Sequence, residues 1–206
     1  MITLYLACLG LLAFLFGVLI LGVWLRRHPS KENAEKSSRI MHSLFFAGLG
    51  LPLVIGFFYP GLRHLDSQVG LRPLPFQPLF LIVGILLALP GLYFMGASNK
   101  SLRALGSGAN AFRLTHRVVA KEIYKYTRNP MSLGYYLIGL SIAFLSGSTL
   151  LTLYVLLGII PSHLFFLKFF EELELDLRFG DSYRQYKQKV AFLLPRMSPK
   201  ANPRTI

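Results

Sequence analysis

From Asn129 to Leu167 the chain runs 39 residues without a formal charge. A single helix of that length would be nearly twice as long as a bilayer's hydrocarbon core, at about 1.5 Å per residue. It must therefore turn back. "SGST" at 146–149 supplies the turn residues, which predicts a hairpin of two helices, near 131–145 and 150–171. A second uncharged run, residues 1–25, is also long enough to cross a membrane. Arg26 and Arg27 follow that run rather than precede it, so it reads as a retained helix and not as a cleaved leader.

Composition agrees with a membrane setting. The 206 residues are 53% hydrophobic and only 15% charged, where a soluble domain carries about 25%. The 22 Lys and Arg against 9 acids give a net charge of +13, which could suggest nucleic acid as a partner. The bases are instead gathered between apolar blocks, as in an integral membrane protein with basic loops on one side, and no nucleic-acid role is expected. Two further spans are predicted, near 43–62 and 76–97, the latter with a kink or break at Pro90-Gly91. Gly48, Gly50 and Gly56 suit close helix approach.

Loop charges set the orientation. Segment 26–43 holds five Lys or Arg, segment 98–128 seven, and the chain from Lys168 onward eight. The alternate connections hold two and none. The positive-inside rule then puts the N-terminus outside and the C-terminal tail in the cytoplasm. The expected fold is all-α and membrane-embedded, with about five transmembrane helices. Residues 1–97 form the N-terminal helices, and 98–206 form a region of basic elbow, hairpin and amphipathic tail.

The two long basic segments flank the hairpin, so they meet on one face although distant in sequence. Helix five should run past the membrane surface and stop at Gly180. A short amphipathic helix should follow, with Tyr183, Tyr186 and Val190 on one face. Glu171, Glu172, Glu174 and Asp176 are four of the nine acids. They are either solvated partners of Lys168 and Arg178 or a pocket that binds a cation or a ribose, since carboxylates near lipid are costly unless paired or useful. His163, eight residues before Glu171, is a helix-to-helix hydrogen bonder or a second catalytic candidate. The other histidines lack metal-ligand spacing and Cys8 is the sole cysteine, so no metal site and no disulfide framework are expected.

"YKYTRNPMSLGYY" at 124–136, followed after the hairpin by "EELELDLRFGDSYRQYKQKVAFLLPR", resembles the isoprenylcysteine carboxyl methyltransferase and phospholipid methyltransferase superfamily of membrane enzymes. The resemblance covers roughly 97–196. It implies a cytoplasmic pocket for S-adenosylmethionine, built from the elbow and the tail, beside a cavity that a lipophilic acceptor enters from the bilayer. The acceptor would be an isoprenylcysteine-like carboxylate, a phospholipid amine or a small thiol. Carried over by position, Tyr124, Arg128, Asn129, Pro130, Met131 and Gly134 match the elbow. Glu171 and Glu172 match the acidic pair, and Tyr183, Tyr186 and Arg196 the tail. Arg128, Asn129 and Glu171 would stand at the reacting centre.

Asn129 stands where the family often has His, Ser132 where a Tyr is common, and "KEIY" where a Gly-Pro pair often precedes the aromatic. Two other classes therefore compete: an NADPH-dependent, steroid-reductase-like membrane enzyme, and a non-catalytic membrane accessory protein. A bacterial inner membrane is the expected location.

Overall fold

The computed structural model describes residues 2–59, 62–106 and 114–195, and its regular structure is helical, with no sheet among them. Helix α1 (Ile2–Arg27) is followed by α2 (Lys31–Phe45), which passes through a π-turn at Phe46–Gly50 directly into α3 (Leu51–Phe58). A short α4 (Leu62–Gln68) precedes the long α5 (Gln77–Leu105). The hairpin is α6 (Pro130–Ser146) and a continuous rod made of α7 (Thr149–Leu153), α8 (Ile160–Phe166) and α9 (Glu172–Phe179) joined by two π-turns. Helix α10 (Asp181–Lys189) is the last helix among the described residues, and Val190, expected on its face with Tyr183 and Tyr186, lies just beyond its end in extended backbone.

Four helical rods are long and apolar enough to cross a membrane: Thr3–Arg27, Lys31–Gly56, Gln77–Leu105 and Thr149–Phe179. With the shorter apolar helix Pro130–Ser146, they make up the expected set of about five. Two boundaries differ from expectation. The second rod begins at Lys31, because Ser30 caps it by accepting from the Asn33 N–H at 3.0 Å and its polar first half packs against α9. The third rod ends at Leu105 rather than near 97, and of the kink or break expected at Pro90-Gly91 a break is absent, since α5 runs unbroken through Pro90.

Burial is concentrated where α1, α2, α6 and the α7–α9 rod meet. Phe14, Val18, Met41, Leu49, Val155 and Phe170 are fully enclosed there. The outward faces of α1 and α5 expose Leu6, Phe16, Ile20, Ile82 and Leu89, as lipid-facing surfaces do. Small residues allow close crossings: a Cβ on Gly10 would sit 2.9 Å from Gly48 Cα. Helices α5 and α6 pack along their length, with Gly134 seated on Gly91 and Met95.

At the end of the bundle away from the basic loops, Asp66 is wholly buried and holds the hairpin turn. Its carboxylate accepts from the Ser148 hydroxyl at 2.9 Å and from the Thr149 and Leu150 N–H groups at 3.1 and 2.8 Å. These are the orphan donors at the start of α7, so one side chain fixes both a helix N-terminus and the α6–α7 reversal.

Candidate active site

The elbow is built by main-chain pairing between two distant segments. After the 3-10 turn Glu122–Lys125, Thr127 forms a parallel bridge with Ala191, and the Arg128 N–H donates to the Ala191 carbonyl at 2.8 Å. The Thr127 hydroxyl donates to the Leu193 carbonyl at 2.7 Å, and the Asn129 amide to the Phe192 carbonyl at 2.9 Å. Pro130 then opens α6 at a position whose missing N–H costs nothing. Behind the elbow, the Tyr186 hydroxyl donates to the Tyr124 carbonyl at 2.8 Å. Burial raises the phenol pKa of both tyrosines, so both stay protonated.

This stitching presents Arg128 to α9. Its side chain is 8% exposed, its Nη2 lies 3.3 Å from Glu172 Oε1, and its guanidinium stands over the Phe192 ring at 5.5 Å. Its Nε and Nη1 are buried and make no hydrogen bond among the described residues. Glu172 is the hub of three cations, with Lys168 at 3.0 Å and Lys187 at 2.5 Å completing the set. Glu171, half-buried at the end of the π-turn Leu167–Glu171, has no hydrogen bond or ion pair among the described residues. Tyr183 is 4% exposed beside them, and its pKa is raised by burial first and by the Glu171 charge second.

Gly180 makes this convergence possible. Its φ of 53° and ψ of −130° lie in a region that side chains strongly disfavour, and there the chain reverses from α9 into α10. The reversal leaves a cavity of about 650 Å³ between α9 and α10, lined by Lys168, Glu172, Asp176, Tyr183, Arg184 and Lys187.

Tyr124, Arg128, Asn129, Pro130, Glu171, Glu172, Tyr183 and Tyr186 therefore gather on the elbow, the end of the rod and α10. Met131 sits half-buried in the first turn of α6. Gly134 lies a turn further along, against α5. Arg196 falls outside the described residues. Of the four acids, Glu172 pairs with Lys168 and Glu174 with Arg178, as one of the two sequence readings had it, but Glu174 does so in a buried setting at 2% exposure, and Asp176 pairs with Arg184 instead. Sequence reasoning missed Lys187, Thr127 and Phe192, although Lys187 lies one helical turn after Tyr183. Phe192 carries both Arg128 and Lys168, whose Nζ is 3.7 Å from its ring centroid. His163 is buried in an aromatic cage of Phe14, Phe45, Tyr135 and Phe166, with its Nδ1 2.9 Å from the Tyr136 hydroxyl.

The fold is that of an integral membrane helical bundle with a charged pocket at one end, walled in part by Tyr183. The chain is a member of the phospholipid methyltransferase family, whose model matches residues 79–182, half of its length. The match takes in the elbow and the acidic pair and ends just before Tyr183. No curated protein and no solved structure matches the chain. Membership makes it a methyltransferase acting on a membrane lipid.

Proposed function

We propose that the chain transfers a methyl group from S-adenosylmethionine to the amine of a membrane phospholipid, with the pocket on the cytoplasmic side of a bacterial inner membrane. The carrying observation is Arg128, a buried guanidinium held by Glu172 whose Nε and Nη1 have no hydrogen-bond partner among the described residues. Buried donors without partners are costly, and an anionic oxygen such as a carboxylate's, accepting from either of them, relieves that cost. The residues present therefore fit an amino-acid-bearing cofactor.

When bound, that cofactor supplies an activated methyl group on a cationic sulfonium. Arg128 binds its carboxylate, and Phe192 and Glu172 hold the guanidinium in place. Glu171, with no hydrogen bond or ion pair among the described residues, would in its ionised form oppose the sulfonium charge and accept the proton that the amine releases as the methyl's C–S bond breaks and the C–N bond forms. Tyr183 and Tyr124 present aromatic faces that favour a cation. Asn129, tied to the Phe192 carbonyl, serves the elbow's geometry and does not titrate. Because the donor is already activated, alignment supplies much of the rate.

Loop charge supports the orientation, since the basic segments cluster at the end of the bundle that carries the pocket. The test is calorimetric titration of the purified protein with S-adenosylmethionine, with its demethylated product and NADPH alongside. Micromolar binding of the first, lost in Arg128→Ala, is the expected result. Binding of NADPH alone would overturn the reading in favour of a reductase, and binding of neither would overturn it in favour of an accessory role.

A further inference from the structure

A second cavity, of about 780 Å³, opens between α2, α9 and the segment Leu114–Arg117. It shares no lining residue with the elbow cluster. Arg39, His42, His116 and Arg178 bring basic groups to it, and Glu35 is its one acid. Phe46 and Leu114 form an apolar side.

Its basic groups are only partly used. The Arg178 side chain is 4% exposed; its Nη1 donates to Glu174 at 2.6 Å and its Nη2 to the Thr115 carbonyl. Its Nε is buried without a hydrogen-bond partner among the described residues and lies 3.9 Å from Glu35, so that acid's charge is already opposed. The Arg39 guanidinium has no ion pair among the described residues. His42 engages the Ser38 carbonyl through Nδ1 at 2.9 Å, and its Nε2 has no hydrogen bond among the described residues.

Depth decides what such a cavity takes. Helix α2 is polar from Lys31 to Arg39 and becomes apolar from Leu44 onward. The cavity therefore straddles the level at which its helix enters the hydrocarbon, where lipid phosphates lie. Basic pockets between transmembrane helices at that level bind anionic head groups, and Phe46, 50% exposed, offers an acyl chain an apolar path downward.

We propose that this cavity binds the phosphate ester of a membrane glycerophospholipid and thereby holds the acceptor's head group. Its role for the acceptor rests on the methyl-transfer reading above; its binding of a lipid phosphate does not. Its α2 residues precede the family-matched span 79–182, so it would set this chain's own choice of lipid.

The test has two arms. In the first, without cofactor, protein in an uncharged detergent is titrated with phosphatidylglycerol, with diacylglycerol of the same chains, and with inorganic phosphate, and retained lipid is counted by native mass spectrometry. Phosphatidylglycerol should be held and diacylglycerol should not, with inorganic phosphate a weak competitor. Arg39→Gln, at an exposed position that spares the fold, should weaken retention roughly tenfold. Equal retention of diacylglycerol, full displacement by inorganic phosphate, or an unchanged Arg39→Gln would overturn the site. In the second arm, Arg39→Gln should raise the KM for phosphatidylethanolamine about tenfold, with kcat and cofactor affinity unchanged. Weakened retention with an unchanged KM would overturn the acceptor assignment. Failure of the wild-type protein to bind S-adenosylmethionine would instead strike the methyl-transfer reading and leave the first arm standing.

Discussion

Replacing Glu172 by Gln keeps the side chain's shape and a hydrogen-bond acceptor while removing one negative charge from among three cations. Arg128 loses most. At 3.3 Å and an effective dielectric of about 20, the gross attraction between the two charges is about 5 kcal/mol. The Gln amide and nearby dipoles recover part of it, leaving a net cost of about 2 kcal/mol, in the range measured for hydrogen bonds to charged groups. Lys168 and Lys187 are 51% and 43% exposed, so their losses are screened to well under 1 kcal/mol each. If the positioned guanidinium sets cofactor affinity, the Kd for S-adenosylmethionine rises about 30-fold. The demethylated product, which lacks the sulfonium charge, should suffer less, because the pocket has become more cationic. Calorimetry on both ligands measures the two shifts, and Lys168→Gln, with an expected change under about fivefold, is the control. A Kd for Glu172→Gln within threefold of wild type, at unchanged thermal stability, would refute the reasoning.

Removing the Tyr186 hydroxyl (Tyr186→Phe) leaves the buried Tyr124 carbonyl without that donor and should cost about 1–2 kcal/mol, read as a lowered melting temperature in detergent. Gly134→Ala places a Cβ within 2.9 Å of Met95 N and 2.8 Å of Gly91 O, both backbone atoms of α5 that cannot give way cheaply; destabilisation of about 1–3 kcal/mol should follow in the same melt. Asp66→Ala strips three donors of their shared acceptor and should destabilise by about 3 kcal/mol. Because that change lies at the far end of the bundle, Kd values measured below the melt should hold within about twofold.

Much of the fold was written locally. Absence of charge marked the spans, "SGST" marked the reversal, and Gly180 with the Tyr183–Tyr186 spacing marked the end of the rod and the helix after it. The early start of the second rod was hidden because Lys31–Arg39 is polar, and its helicity rests on Ser30 and on packing against α9. The elbow's residue types were legible through the family pattern, but their supports were not. Thr127, Phe192 and Lys187 matter through contacts spanning up to 66 residues, and no periodicity in a single sequence signals those. Asp66 was invisible for the same reason: an acid in a short polar connection looks solvated until the turn it caps folds over it.

The parallel bridge between Thr127 and Ala191 bears on where this enzyme can be cut and joined. The family-matched stretch ends at residue 182, yet the elbow is seated on the carbonyls of residues 191–193. A chimera exchanged at the edge of the recognisable motif would carry over Arg128, Glu171 and Glu172 and lose the template that aims the first of them. The transplantable unit is therefore longer than the conspicuous one, and its final part acts through main-chain register together with the Phe192 ring.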